Sequence, residues 1–253
     1  MEKVLTDAFT IYPLEWDTNF FGLHCAKAIL HKPLNKQQWA KLKIEMERFE
    51  FISIENRNSE PKNMQIIGRE TSAFVADTNI QFSKSITYPE WSSTTENITI
   101  QNRMKKNNRI LEIAEYKYSK FLEDPELAKR GGDQVYEQWL LNSFEKTDKF
   151  FAVFKDNKGV VNGFLLYSYS DNACVIELIG VSTNSFNAGI GTKLFKTVET
   201  KAYENSIKTI KVGTQIRNTN AINFYHKVGC VQQATNQIYH LWNIDKLKNG
   251  EID

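Results

Sequence analysis

The sequence predicts an α/β protein with a mixed sheet, and three observations carry that expectation. Apolar segments at 149–155, 163–170 and 173–181 follow one another across short turns (KDNKG and SDN), as in an antiparallel meander. Beyond Val181 the hydrophobic period alternates between helix and strand, the succession of a crossover unit. The stretch 89–108 (PEWSSTTENITIQNRMKKNN) is polar, turn-rich and poor in core residues, so it reads as a connection.

In chain order, 26–30 and 51–55 read as strands. Between them, 36–49 places Trp39, Leu42, Met46 and Phe49 on one helix face. A further strand is expected within 74–82. The boundaries that follow are a smaller α/β domain over 1–90, a connection over 91–108 and a second domain over 109–253. In the second domain, 110–116 reads as a strand and 133–144 as a helix with Asp133 as its cap and Val135, Trp139 and Leu140 inward. After the meander come a helix over 191–203, a strand over 209–213, a helix over 219–226 and a last strand over 231–242.

Composition excludes several classes of function. The 253 residues include 32 Lys and Arg against 30 Asp and Glu, a net charge of +2, with 41% apolar and 12% aromatic residues. Such a chain has the aromatics to fold, and it lacks the basic excess from which binders of nucleic acid draw their affinity. The densest basic stretch, Arg103 to Arg109, is short and reads as a solvated segment. No apolar run approaches the roughly 20 residues of a membrane-crossing helix, and residues 1–10 lack an apolar signal core, so a cytoplasmic protein is expected. Cys25, Cys174 and Cys230 are widely spaced, and the four histidines form no i, i+4 pair, so neither a disulfide framework nor a metal site is expected.

Chemistry concentrates in 181–194 (VSTNSFNAGIGTKL), where a strand runs through Gly189-Ile190-Gly191 into an amphipathic helix. A helix start offers unpaired N–H groups and the positive end of the helix dipole, and glycines let a phosphate approach the backbone. The dinucleotide fingerprint is incomplete, because Leu194 stands where its third glycine belongs, and NAD is thereby disfavoured. One crossover later comes 218–229 (NTNAINFYHKVG).

Together the two stretches resemble the GNAT acyltransferase superfamily. Its patterns are (Arg/Gln)-x-x-Gly-x-(Gly/Ala) after a strand, then Asn-x-x-Ala-x-x-x-Tyr-x-x-x-Gly. Asn218, Ala221, Tyr225 and Gly229 fill the second pattern. The first is met at Gly189 and Gly191 but departs at Phe186, where Arg or Gln is usual. The diphosphate would then depend more on backbone N–H groups and on Asn184, Ser185 or Asn187. The resemblance spans roughly 105–245 and implies a GNAT-type, mostly antiparallel sheet flanked by helices, with acetyl-CoA as cofactor. It places the cofactor along Ile179, Gly180 and Val181, its diphosphate over Ser185, Phe186, Asn187, Ala188, Gly189, Ile190, Gly191 and Thr192, and its arm near Asn218, Ala221 and Tyr225.

A closer resemblance, in 16–22 (WDTNFFG), 119–125 (SKFLEDP) and 214–225 (TQIRNTNAINFY), is to the dTDP-fucosamine N-acetyltransferases, which acetylate the amine of a nucleotide-linked aminodeoxy sugar for cell-surface polysaccharides. It implies Lys120, Asp124, Gln215 and Arg217 as acceptor contacts. No nucleic acid or membrane partner is implied, and a homodimer is compatible with it. Trp16, Phe20 and Phe21 are expected to anchor the two domains to each other.

Acyl transfer to an amine requires a neutral nucleophile, a stabilised oxyanion and a proton for the departing thiolate. Tyr225, with an ordinary phenol pKa of about 10, is the candidate acid; the alternative is a tyrosine packed on the sheet. Glu177 is the candidate base, through a water; the alternative is a carboxylate paired with a cation. A backbone N–H near Val181 would meet the oxyanion, with a bulge expected at Gly180. Asn218 is equally placed to cap its helix. Without a histidine in a recognisable pattern beside Cys174 or Cys230, direct transfer is favoured over an acyl-enzyme. Two other readings stand beside this one: the same transfer to a protein, peptide or small-molecule amine, and a catalytically silent acyl-CoA sensor.

Overall fold

The structure, a computed structural model, describes residues 2–87, 97–114, 118–185 and 189–243. The chain forms two compact units. They do not follow a linear division at 90 and 109: one is drawn from residues 1–80, 119–132 and 234–253, the other from 81–118 and 133–233.

The first unit begins with β1 (Val4–Leu5), β2 (Phe9–Pro13), α1 (Glu15–Phe21), β3 (Cys25–Leu30), α2 (Lys36–Met46), β4 (Phe51–Asn56) and α3 (Pro61–Glu70). Next comes β5 (Phe74–Ser85), which contributes residues to both units. In α2, Asn35 and Gln38 form a reciprocal capping box, which satisfies the first backbone donors and sets the helix start. The strand order is β1-β2-β3-β4 and then the last strand of the chain, β11 (Val231–Trp242). β3 and β4 run parallel and the other neighbours antiparallel.

Alternation gives this sheet two unlike faces. Ala26, Ala28, Leu30, Ile52, Ile54, Tyr239 and Leu241 point to one side, where they pack with Trp39, Leu42 and Met46 of α2 and Ile67 of α3. On the other face, register aligns Lys27 of β3, Ser53 of β4 and His240 of β11 in one cross-strand row. The short helices α5 (Lys120–Glu123) and α6 (Pro125–Ala128) belong to that side, through Lys120 beside Ser53 and Asp124 bonded to His240, and α1 meets α5 through Phe21 and Phe121.

The second unit has strand order β5-β10-β9-β8-β7-β6, with β6 (Ile98–Asn102), β7 (Phe150–Lys155), β8 (Val161–Ser170), β9 (Ala173–Val181) and β10 (Thr209–Gln215). β6 to β9 are antiparallel neighbours, and β10 joins β9 in parallel. The expected meander and crossover unit are therefore present. On one face α4 (Asn108–Ile113) and α7 (Val135–Ser143) close a core around Ile110, Leu140, Phe151, Phe164 and Leu178. Against the same sheet, α8 (Ile190–Glu204) buries Ile190, Leu194, Phe195, Val198 and Ala202, and α9 (Thr219–Lys227) follows β10.

Several expectations are corrected. Residues 108–113 are helical where a strand was expected over 110–116: the Asn107 side chain accepts hydrogen bonds from the N–H groups of Arg109 and Ile110 and starts a helix. The connection contains β6, paired residue by residue with β7. Helix α7 starts at Val135 after a single tight turn at 132–134, so Asp133 is not its cap. Trp139 is not inward; it is 40% exposed. In α1, Trp16 stacks on Phe20 at 4.8 Å, and Phe21 lies 6.1 Å from Phe121, all within the first unit.

Candidate active site

Two irregularities in β9 shape the site of the second unit. Its parallel pairing with β10 runs from Ala173↔Thr209 to Ile176↔Val212, and both strands continue past that point without being paired to each other. Their free ends leave a gap in the sheet. On the other edge, β8 pairs Tyr167 with Ile176 and Leu166 with Leu178, so Glu177 is the extra residue of a bulge. The bulge is thus at Glu177, while Gly180 pairs regularly with Phe164. Gly180 is small because a Cβ there would lie 2.8 Å from the Phe164 ring and 3.0 Å from an Ile113 methyl.

The loop after β9 leads to α8. Phe186, Asn187 and Ala188 lie outside the described residues. Gly189 takes the left-handed conformation (φ 74°) that a glycine adopts without strain, and it stands as the N-cap of α8 with no side chain closing the helix mouth. The first helical bond runs from the N–H of Lys193 to the Gly189 carbonyl at 3.0 Å, so the N–H groups of Ile190, Gly191 and Thr192 have no partner within the helix. A methyl built on Gly191 would sit 3.3 Å from the Phe224 ring and 3.8 Å from a Val181 methyl. The end of β9, the mouth of α8 and the helix α9 therefore converge on Gly191. Ser185 ends a tight turn, its N–H donating to the Ser182 carbonyl at 2.9 Å. Ser182 in turn accepts from the Arg109 guanidinium at 3.3 Å, which puts a cation beside this loop that the sequence reading had assigned to a solvated segment.

In α9, Asn218 is the N-cap: its side-chain oxygen accepts from the Ala221 N–H at 3.1 Å, which explains the spacing of those two residues. The helix ends at Gly229 (φ 88°), a conformation costly for any side chain. Phe224 meets Phe195 of α8 edge to face at 6.3 Å, so α9 and α8 share one side of the sheet. Tyr225, the next residue, is 4% exposed and packs against Phe82 at 5.6 Å. Burial, reinforced by the Cys230 thiol, pushes its phenol above the usual value, so the hydroxyl stays protonated and is a weaker acid than a free phenol.

Glu177 is 7% exposed along its side chain and fully engaged. Its carboxylate accepts from Lys149 Nζ at 2.5 Å, Ser168 Oγ at 2.6 Å and Trp139 Nε1 at 3.1 Å. Action as a base would require one of these donors to leave. Trp139 also stacks on Tyr136 at 6.3 Å, and the Tyr136 hydroxyl accepts from the Gln215 side chain at 3.1 Å. Two residues of α7 thus reach the ends of β9 and β10, a role no sequence motif announces. Arg217 lies over the Tyr118 ring at 5.9 Å. Burial pushes Cys25 and Cys174 up to about 12 and Cys230 up to about 11, which disfavours the thiolate an acyl-enzyme needs.

Lys120 and Asp124 belong to the first unit. Asp124 is wholly buried. One of its oxygens caps α6 through the N–H groups of Glu126 and Leu127, and the other accepts from His240 Nδ1 at 2.7 Å and Trp242 Nε1 at 3.0 Å. Burial opposes its charge, but these donors prevail and hold its carboxyl below the ordinary value. Lys120 lies over the Phe121 ring at 5.0 Å with its ammonium 3.5 Å from Ser53 Oγ, and burial together with the Lys27 charge pushes it down to about 8.

The gap after Ile176, the open helix mouth and the buried tyrosine make up the candidate site of the second unit. Residues 111–230 match the acetyltransferase (GNAT) family. The fold agrees: a GCN5-related N-acetyltransferase from Sphaerobacter thermophilus superposes with a TM-score of 0.63 at 13% identity, covering 93% of this chain and 76% of that one. A functionally unknown conserved protein from Staphylococcus epidermidis gives 0.66 at 17% identity, over 96% and 94%. Both establish the fold. The chain is also similar to the spore coat polysaccharide biosynthesis protein SpsD of Bacillus subtilis, at 25% identity over 124 residues, 49% of this chain and 43% of SpsD. The match thus spans less than half the length of that relative. The fold is the GNAT fold, and residues 111–230, just under half of the chain, match the model of that family, whose members use acetyl-CoA as acyl donor.

Proposed function

We propose that the protein is an N-acetyltransferase that moves the acetyl group of acetyl-CoA directly to the amine of a nucleotide-linked aminodeoxy sugar, of the dTDP-fucosamine type, for polysaccharide synthesis. The convergence of Val181, Gly191 and Phe224 carries the transferase part, because it brings an open helix mouth and the strand gap to the helix of the candidate acid. The similarity to SpsD, a protein of spore coat polysaccharide biosynthesis, supports the sugar.

In this reading the diphosphate of the cofactor lies at the mouth of α8, where Ile190, Gly191 and Thr192 present N–H groups and the helix dipole favours negative charge. The edge of β9 that β10 leaves unpaired, Ile179 to Val181, offers backbone groups to the cofactor arm. The attacking amine adds to the thioester carbon, the carbon–sulfur bond breaks, the Tyr225 proton goes to the departing sulfur, and the proton that the nitrogen loses passes through water to restore the phenol. A sugar amine flanked by electron-withdrawing oxygens is less basic than Lys, so part of it is neutral near pH 7 and Glu177 can remain in its ion pair.

The test is a thiol-release assay with acetyl-CoA and a panel of dTDP- and UDP-aminodeoxy sugars, with polyamines and peptides alongside. Turnover confined to the amino sugars is expected. Turnover with peptides or polyamines alone overturns the sugar assignment, and cofactor binding without turnover on any amine points to a sensor.

A further inference from the structure

Within the second unit, the end of β5 grips α9 through two side chains. Phe82 and Lys84 stand two residues apart on the strand, so both point to the same side of it. Phe82 lies 5.6 Å from the Tyr225 ring and 5.1 Å, edge on, from His226. Lys84 Nζ donates to the carbonyl of Val228, the C-cap of α9, at 2.9 Å. A methyl built on Gly229 would lie 3.4 Å from Lys84 Cε, so the lysine stem runs against the turn that ends the helix. The same ammonium forms an ion pair with Glu199 of α8 and lies over the Phe195 ring of that helix at 5.6 Å. The other oxygen of Glu199 accepts from Lys196 at 2.8 Å. Lys84 and Glu199 are 16% and 7% exposed along their side chains. In so buried a pair, desolvation offsets much of the Coulomb attraction, and two apolar side chains would pack α8 on α9 as well. Apolar side chains do not supply a directed bond to one chosen carbonyl.

The two helices that Lys84 joins hold different parts of the proposed reaction: the mouth of α8 receives the diphosphate, and α9 carries the phenol. Once the diphosphate is seated, the reach of the cofactor arm limits where its sulfur can lie, so the phenol has to be set relative to that mouth. Proton transfer needs the acid within hydrogen-bond reach of the sulfur, and a displacement of about 1 Å is costly. We infer that Lys84 is a positioning residue for the transfer step: anchored on α8 by Glu199, it holds the last turn of α9 and, with Phe82, sets the place of the Tyr225 hydroxyl. Glu199 stands ten residues beyond Gly189, about 15 Å along the helix, so loss of this tie leaves the N–H groups of the mouth where they are. The inference rests on the reading of Tyr225 as the acid and adds what fixes its position.

The experiment measures kcat and the acetyl-CoA KM of the full chain with an amine that turns over in the panel, for the parent, Lys84→Met, Glu199→Gln, Tyr225→Phe and the Lys84→Met, Tyr225→Phe double variant. Lys84→Met is expected to lower kcat about tenfold with the acetyl-CoA KM within about twofold. In the Tyr225→Phe background the same change should cost less than about twofold, because the proton that Lys84 positions is already gone. Glu199→Gln keeps the shape of its side chain and should lower kcat about threefold; it replaces Lys84→Met as the deciding variant if circular dichroism shows that Lys84→Met does not fold. A kcat within about twofold of the parent in the deciding variant makes the pair a brace of the fold and overturns the inference. A loss of the same size in the Tyr225→Phe background overturns it too, as does a parallel rise in the acetyl-CoA KM. If Tyr225→Phe itself leaves kcat unchanged, or no amine turns over, the reading of the acid fails and takes this inference with it.

Discussion

One carboxylate in each unit, Glu177 of the second and Asp77 of the first, is held in the opposite way to the other. In the second, Glu177 sits at a strand bulge with lysine, hydroxyl and indole donors on its oxygens. In the first, Asp77 is half-buried, and burial outweighs the backbone hydrogen bond at Thr78 and the attraction of the Lys120 charge, with Glu123 opposing its ionisation. A compensated charge braces a fold, whereas an uncompensated one weakens the fold and is retained where something else supplies the partner.

The largest effect expected concerns the chemistry that this bracing serves. Tyr225→Phe should lower kcat by about 100-fold, the lower range for loss of a positioned acid, while acetyl-CoA affinity by calorimetry changes less than about twofold. Equal loss of both would make Tyr225 a packing residue. Next, Glu177→Gln should destabilise the protein by about 2 kcal/mol in urea unfolding, since Lys149, 26% exposed along its side chain, loses its counter-charge. An increase in stability would remove the distinction between the two acids.

Asp77→Asn should do the reverse and stabilise the fold by about 1 kcal/mol, a figure reduced for the partial exposure of the site. The sign follows from its raised carboxyl. Between the unfolded value near 3.8 and the folded value of about 6, the native state holds the proton more tightly, so its stability falls as pH rises through that interval and levels off above it. The melting temperatures of the variant and the parent should therefore coincide near pH 4 and separate by pH 7. A constant difference across that range would show that the asparagine acts by packing alone.

Much of the second unit is legible in the sequence, because its signals are local. The bounds of β9 coincide with the apolar run that marks it, and α8 and α9 begin after Gly189 and Asn218, whose chemistry opens a helix. The segment after Asn107 is misread because Ile110, Leu111 and Ile113 suit either period, and a capping side chain decides between them. The polar face of the first unit is illegible for a different reason. Lys27, Ser53 and His240 are the polar half of ordinary alternation, which sequence reasoning assigns to solvent; residues 119–132, distant along the chain, reach Ser53 and His240, which are buried. Lys120 and Asp124 are reached only through a family-like stretch, which says nothing of the histidine that Asp124 holds. The bulge at Glu177 is invisible because a register shift leaves the alternation of a single strand almost unchanged.

Because β11 carries His240 and Trp242 at its far end, the first unit is assembled from the earliest and the latest parts of the described chain. During synthesis, Asp124 emerges more than a hundred residues before the ring that takes its hydrogen bond. A ribosome-bound chain stopped short of residue 234 would hold every strand of the meander yet lack the imidazole, so Asp124 would stand without that partner until β11 is made.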